Sequence, residues 1–529
     1  MMESPAIPAP QQRATNPYLG ILGVFLGAGI ATLNARLLGI GLPDLRAALG
    51  LGFDEASWLP TALNMATMFS GVFVVFLSAS LGPRRILLPA AAIFLSASAF
   101  LPFAAGYRTM LALIVIAGIA SGTFYSLTMT FVLTSLPKRL VIFGIAAYAG
   151  EIVFVSNIAS ALQGWYAETL SWRWTFWTAA AIMPAMMLCI YFGIPRKPVT
   201  GFTTNWRGFA YFSLGISLIY GALDQGERLD WLNSGVIVAM LAGGAFLLIV
   251  TGVRRILRPH PILNPAFLNG RNIVILALSV FVFKFVHLAT IVLIPGFLGN
   301  IQQYRPLEIG YALAWVALPM LAVVWLVAAV ALYTNSRLVL TGGLTIAAVA
   351  CWVCAHLDPS WAGASFQKME LIMALGFAGS YVGLVGSLVL QALESGALTS
   401  AANAATYSGF VHLIRLFGGQ VGVAAMTHFI SSREKLHSNL LGLHVQAGDW
   451  LTDDRLRVLT GGMLSQSAGP EEAQYRAAGI LGQQVRAQAY TMATADGFIL
   501  IGWMVVAYLL LMLFLRPSKI SYKQLRNMQ

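Results

Sequence analysis

Charged residues are scarce in this chain of 529 residues. Asp, Glu, Lys and Arg together make up 10% of the sequence and 58% is hydrophobic, whereas a soluble protein carries about 25% charged residues. This shortage excludes an ordinary soluble protein. The composition predicts a membrane protein that crosses the bilayer many times.

Cysteine is nearly absent, and the usual metal and nucleotide motifs are missing. The three cysteines, Cys189, Cys351 and Cys354, lie in apolar runs, which favours packing within helices over a zinc or redox role. No histidine belongs to an HExxH pattern and no P-loop occurs, so we expect neither a metal nor a cofactor, and neither an enzyme nor an ATP-driven pump. A channel is disfavoured because no filter-like segment repeats.

The net charge of +12 does not indicate binding to nucleic acid. The basic residues occur singly or in groups of up to three between apolar runs, which is the spacing of membrane topology signals. Residues 1–17 are polar and lack the apolar core and cleavage site of a secretory signal. We therefore expect this segment to be a cytoplasmic tail.

Long apolar runs dominate the rest of the chain. A membrane helix needs about 20 apolar residues, and fourteen such runs lie at 18–43, 56–81, 86–105, 110–136, 141–166, 174–194, 208–223, 235–253, 272–298, 310–332, 338–356, 370–392, 403–430 and 497–515. With the N-terminus inside, 17 basic residues are cytoplasmic and 6 lie in short external loops. The positive-inside rule thus predicts two cytoplasmic termini.

Six stretches of the sequence are distinctive: Trp58 in EASWLPTA, LSWRWTFW (170–177), the basic linker RKPVTGFTTNWR (196–207), LDQGERLDWLNS (223–234), GYALAWVALP (310–319) and RLFGGQVGVA (415–424). Together they resemble the fourteen-helix drug:proton antiporters of the major facilitator superfamily, the multidrug efflux permeases. The resemblance implies an all-α membrane fold of two six-helix bundles with two extra central helices. It also implies alternating access to a site near the membrane midplane.

The resemblance implies a division of the chain into five parts. These are a cytoplasmic tail (1–17), a six-helix bundle (18–195), a linker with two extra helices (196–271), a second six-helix bundle (272–515) and a cytoplasmic tail (516–529). Within the second bundle, residues 431–495 are expected to form an external loop with some amphipathic helix. The expected partners are a small-molecule substrate, protons and the lipid bilayer of a bacterial inner membrane, and a periplasmic adaptor is left open.

The loop between the second and third spans keeps part of the superfamily's cytoplasmic latch. In FLSASLGPRR, Gly82, Arg84 and Arg85 are retained, and we assign them to gating or packing. Ala79 and Ser80 stand at the positions that we align with the acidic residue and the first basic residue of that latch. The latch is therefore incomplete in its charged groups.

Other positions often tied to proton coupling are neutral in this chain. Asn34 stands where helix one usually carries an aspartate, and Ile114 aligns with the arginine of helix four. The Gly-Pro run of helix five is reduced to ASALQGW (159–165). These changes keep open an uncoupled facilitator or a transporter-like sensor.

Ionisable residues inside the apolar runs are candidates for function, since each costs about 2.5–3.5 kcal/mol in the bilayer interior. Glu151, Lys284 and Arg415 lie near the centres of their runs, and Arg36 lies in the outer half of the first. Glu151 is the candidate proton carrier, although a structural salt bridge with Arg36 is the alternative. Arg36 either snorkels to the interface or faces the cavity.

The second half contributes the remaining candidates. Lys284 and His287 are three residues apart and share a helix face, so we assign both to the substrate cavity, although His287 could equally be a packed neutral histidine. Arg415 is assigned to the cavity wall or to holding helices together. Three glycines should let another helix approach closely, namely Gly418, Gly419 and Gly422.

The predicted cavity holds Asn34, three cations and one carboxylate. An excess of positive charge repels cationic substrates by Coulomb's law. The sequence therefore favours efflux of an anionic or neutral amphipathic compound, such as an aromatic or fatty acid. Export of lipophilic cations is the alternative.

Overall fold

The computed structural model describes residues 16–137, 140–196, 206–257, 271–394, 401–516, 518 and 521–527. Throughout these ranges the chain forms helices and their connections. Most of the predicted basic linker, together with Lys138 and Arg139, lies outside them. So do the side chains of Ala79 and Ser80, although both positions belong to a helix.

Seven helices form the first bundle. They are α1 (Pro17–Ile40), α2 (Leu42–Leu49), α3 (Phe53–Leu81), α4 (Pro83–Phe100), α5 (Tyr107–Ser135), α6 (Val141–Thr169) and α7 (Trp174–Gly193). The side chain of Asn16 accepts a hydrogen bond from the backbone N–H of Tyr18 and so caps α1, which satisfies a donor that the helix leaves free. Phe94, Phe124 and Phe176 are fully buried at the centre of this bundle.

Two further helices follow the first bundle. They are α8 (Trp206–Gln225) and α9 (Gly235–Leu257). α8 packs against both α9 and α3. α9 keeps large apolar side chains such as Phe246 and Ile249 about two-thirds exposed, as suits a helix that faces lipid.

The second bundle begins with a bent helix. α10 (Arg271–Leu288) continues through a π-helical turn, Ala289–Leu293, into α11 (Ile294–Asn300). Pro295 lies two residues after the turn, and its missing backbone N–H explains why the regular hydrogen-bond ladder is interrupted here. The remaining helices are α12 (Pro306–Tyr333), α13 (Ser336–Cys354), α14 (Gly363–Glu394), α15 (Ala401–Gly442), α16 (Trp450–Met463), α17 (Pro470–Met512) and α18 (Tyr522–Asn527).

Twelve helices in the described part of the chain are long and apolar enough to cross a membrane. The other two predicted spans, 56–81 and 208–223, fall within α3 and α8, which are helices of 29 and 20 residues. The protein is thus an all-α integral membrane protein. The count of fourteen spans stays a prediction.

Residues 431–495 contain much more helix than the sequence predicts. α15 extends to Gly442, α16 follows, and α17 begins at Pro470. Asp496 of α17 accepts hydrogen bonds from Arg433 Nε at 2.6 Å and from the His437 ring at 2.7 Å, both on α15. These charge-assisted contacts hold the two long helices together, and apolar periodicity alone could not reveal them.

The two bundles meet most closely between α6 and α12. A Cβ on Gly310 of α12 would lie 2.2 Å from the backbone of Ala161 in α6. A Cβ on Gly164 of α6 would lie 2.2 Å from the backbone nitrogen of Leu307. Small residues are required where helix backbones approach this closely in a membrane.

We predict that Gly310→Val separates α6 from α12. Because overpacking costs about 1–3 kcal/mol, the purified variant should unfold at a lower temperature than the wild type. The matched control is Gly342→Val, since no atom lies within 4 Å of a Cβ at that position. Equal melting temperatures for both variants would contradict the assignment of this contact.

Candidate functional site

Arg415 lies at the junction of the two bundles. It belongs to α15, its exposed fraction is 6%, and its Nη1 donates a hydrogen bond to the hydroxyl of Tyr148 at 2.7 Å. Its guanidinium carbon lies 4.8 Å from the ring centroid of Tyr125 and 5.8 Å from that of Tyr148. Tyr125 is on α5 and Tyr148 on α6, so a cation of the second bundle is held by aromatic rings of the first.

An aromatic chain extends from this cation into the second bundle. The ring of Tyr381 on α14 lies 6.2 Å from that of Tyr148 and 4.8 Å from that of Phe283 on α10. Tyr125, Tyr148 and Tyr381 are not among the site residues predicted from the sequence. The available signal was their position inside the apolar runs, because membrane tyrosines usually lie at the water interfaces.

Glu151 lies on α6, about one turn beyond Tyr148. Both of its carboxylate oxygens are buried and have no hydrogen-bond partner. A Cβ on Gly29 of α1 would lie 2.6 Å from Oε1, so the absence of a side chain there makes room for the carboxylate. Arg415 is the cation that acts on it electrostatically.

A structural salt bridge between Arg36 and Glu151 is wrong for this structure. Within the described ranges, the ion pairs closer than 4 Å do not include these two groups. The Nε of Arg36 is instead buried without a hydrogen bond, and Arg36 acts electrostatically on Lys284 and His287 of α10. Arg36 therefore lies within electrostatic range of the second bundle.

Lys284 and His287 differ in their surroundings. Lys284 lies within electrostatic range of both Arg36 and Arg415, which brings three cations together. His287 is 1% exposed, neither ring nitrogen has a hydrogen-bond partner, and its ring packs 5.3 Å from that of Phe377. This geometry fits a packed neutral histidine, because a buried unpaired charge would be costly.

The remaining predicted positions line or support this region. Asn34 is 3% exposed and its Oδ1 is buried without a partner. The glycines of α15 lie against α10: a Cβ on Gly418 would lie 3.4 Å from Phe281, on Gly419 3.7 Å from Lys284, and on Gly422 3.3 Å from Phe285. This spacing is ordinary contact for the first two and tight for Gly422.

The retained latch residues lie within the first bundle. Gly82 joins α3 to α4 with a φ of 81°, which favours glycine. Arg84 donates a hydrogen bond to the carbonyl of Ile194 at 3.2 Å and stacks over Tyr191 at 4.5 Å, while Arg85 is exposed. Arg84 thus stabilises the C-terminal end of α7, where free carbonyls favour a cation.

One buried carboxylate was not singled out in the sequence. Glu370 of α14 is fully buried, and neither of its oxygens has a hydrogen-bond partner. It lies at the beginning of an apolar run, where an acidic residue is easily taken for a solvated helix end.

The arrangement of two helical bundles around a buried charged site agrees with the protein family that the sequence matches. A family model described as Major Facilitator Superfamily matches residues 24–422. The chain belongs to this superfamily. It is therefore a multi-pass membrane transporter and not an enzyme.

Similar proteins refine the assignment. "Multidrug export protein EmrB" of Haemophilus influenzae is 20% identical over 499 residues, covering 94% of this chain and 95% of its own length. "Fatty acid resistance protein FarB" of Neisseria gonorrhoeae is 22% identical, covering 80% and 83%. The solved proton:xylose symporter XylE has the same fold, with a TM-score of 0.58, 12% identity and coverage of 96% and 98%. The similarity to EmrB supports the drug:proton antiporter (multidrug efflux) subfamily.

We predict that Tyr148→Phe weakens the junction between the bundles. The change removes the hydroxyl that accepts from Arg415, and a hydrogen bond to a charged group contributes about 1.5–3 kcal/mol. The melting temperature of the purified protein should fall. Tyr311→Phe is the control because Tyr311 is 65% exposed, and a similar fall in both variants would refute the special role of Tyr148.

Proposed function

We propose that this protein couples proton entry to the efflux of a small anionic or neutral amphipathic compound by alternating access. The observation that carries the proposal is the meeting of three cations and one unpartnered carboxylate at the junction of the two bundles. Charges in this position are costly. They persist in transporters where a substrate, a proton or each other can neutralise them.

Glu151 is the proposed proton carrier. An isolated carboxylate in an apolar interior is destabilising unless it binds a proton or meets a cation, and its oxygens have no hydrogen bond in this structure. Arg415 is the nearby cation, but its guanidinium is already held by Tyr148. A relative movement of the bundles would change this balance and so load or release the proton.

The cations define the proposed substrate charge. Arg36 and Lys284 belong to different bundles and interact electrostatically, and in the described residues neither forms an ion pair with a carboxylate. A carboxylate of the substrate would neutralise them. Asn34 would line the same cavity, whereas the packing of His287 against Phe377 favours a neutral structural role for that side chain. The similarity to a fatty acid resistance protein supports this substrate class.

An apolar pocket of about 380 Å³ lies beside Glu151 and could accept the hydrophobic part of the substrate. It lies between α1, α6, α7 and α12, and Phe25, Phe154 and Trp325 are among its lining side chains. Its size falls within the usual range for small-molecule sites.

One observation favours the second candidate, export of lipophilic cations. Glu151 is the ionisable residue that lines this apolar pocket, and a carboxylate at an apolar wall can bind a cation. Comparing the export of a fatty acid with that of a quaternary ammonium dye would therefore distinguish the two candidate functions.

The part of α15–α17 that lies outside the predicted membrane exposes large side chains that a partner protein could cover. Leu443, Trp450 and Tyr475 are 63%, 71% and 84% exposed on the α15–α17 extension. We propose this extension as the place where a periplasmic adaptor would bind.

We predict that Lys284→Ala impairs the export of a fatty acid from cells that lack their own exporters. Loss of a charged contact of about 1.5–3 kcal/mol should raise the half-saturating concentration roughly 10- to 100-fold. Lys368→Ala is the control because Lys368 is exposed at the beginning of α14. Unchanged fatty acid export in Lys284→Ala, with the strongest protection against quaternary ammonium dyes, would favour the second candidate.

A further inference from the structure

The end of the extra helix α8 joins the two bundles through one carboxylate. Asp224 Oδ2 accepts a hydrogen bond from the hydroxyl of Thr61 on α3 at 2.5 Å. Its Oδ1 accepts from Nε2 of Gln420 on α15 at 2.8 Å. α3 belongs to the first bundle and α15 to the second. Asp224 is therefore a bridge between them.

Neighbouring residues fasten this end of α8 to α3. Gln225 Nε2 donates to the carbonyl of Ser57 at 3.0 Å and also to the hydroxyl of Thr61. Arg228 donates to Oε1 of Gln225 at 2.6 Å and forms an ion pair with Asp54. The first bundle thus holds α8 independently of Asp224.

The following loop fastens α8 to α15. Glu227 Oε2 lies 2.7 Å from Nδ1 of His428 and accepts from the indole of Trp231 at 3.0 Å. Partial burial acts to raise the pKa of Glu227, but hydrogen bonds from Trp231, His428 and Ser431 prevail and lower it. Glu227 is therefore a stable anion. Tyr220, one turn earlier on α8, is a titratable group that interacts electrostatically with Asp224.

In the predicted topology these contacts lie at the external side of the membrane. The close approach of α6 and α12 at Gly164 and Gly310 lies on the same side. α3 with α15, and α6 with α12, are thus both in contact there. Release of substrate to the outside requires α3 and α15 to separate, and this movement must break a bond to Asp224.

We propose that Asp224 binds a proton from the external side and that this protonation unfastens the bridge. As an anion, the carboxylate accepts from both Thr61 and Gln420 in charge-assisted bonds, which are roughly twice as strong as neutral ones. With a proton on one oxygen, that oxygen becomes a donor and both bonds lose their charge assistance. Protonation from the external side thus favours the separation of the two bundles at that side.

This inference rests on the proposed proton-coupled transport, but it concerns a carboxylate other than Glu151 and a movement that can be measured without transport. Spin labels at Glu168 and Arg305 would report the separation of the outer ends of α6 and α12. Both positions are exposed. Cys189, Cys351 and Cys354 would first be replaced by alanine.

We expect the wild type in proteoliposomes to show mainly short distances at high pH and a growing long-distance population as the pH falls. Asp224→Asn should raise the long-distance population about tenfold at high pH and abolish most of its pH dependence. Gln420→Ala, which removes one arm of the bridge, should also raise that population. Asp230→Asn is the matched control, since Asp230 is an exposed acid of the same loop.

The inference is overturned if Asp224→Asn and Gln420→Ala keep the wild-type distances and pH dependence, or if Asp230→Asn changes them equally. Should Asp224→Asn not fold, the result for Gln420→Ala decides. A failure of the transport proposal alone would instead leave the distances pH-dependent and the substrate unmoved.

Discussion

The cost of placing a charge in the membrane interior governs how this protein is built. Arg415 meets that cost with the hydroxyl of Tyr148 and the faces of two tyrosine rings. These partners belong to the other bundle, so the stabilisation of one cation also fixes where the bundles meet. Glu151 lies one turn beyond Tyr148 on α6, and neither of its carboxylate oxygens has a hydrogen bond. The same junction therefore holds a cation, Arg415, that has hydrogen-bond and aromatic partners, and a carboxylate, Glu151, that has no hydrogen bond.

Helix α6 connects these features. Its middle carries Tyr148 and Glu151, and its outer half packs on α12 so closely that Gly164 has no room for a side chain. A shift of α6 against α12 would move the carboxylate relative to Arg415 of the other bundle. Gating and proton binding would thus be linked through one rigid element, as alternating access requires.

Much of the fold could be predicted from the sequence because each helix is an apolar run, and the rare mid-membrane charges stand out within those runs. Arg36, Lys284 and Arg415 can be identified in this way, and Lys284 interacts electrostatically with both arginines. The contacts of Arg415 could not be predicted, since Tyr125 and Tyr148 are distant from it in sequence and meet it only through the packing of the helices. The role of Asp224 was hidden for a related reason: at the end of an apolar run it resembles a loop residue, and its two hydrogen bonds depend on helix packing.

The proposal that Glu151 carries the coupled proton can be tested by substrate transport in proteoliposomes with an imposed pH gradient, comparing the wild type with Glu151→Gln. Glu168→Gln serves as a control because Glu168 is exposed at the end of the same helix. If Glu151 carries the proton, the gradient should drive transport by the wild type and by Glu168→Gln but not by Glu151→Gln. Gradient-driven transport that survives in Glu151→Gln would contradict this proposal.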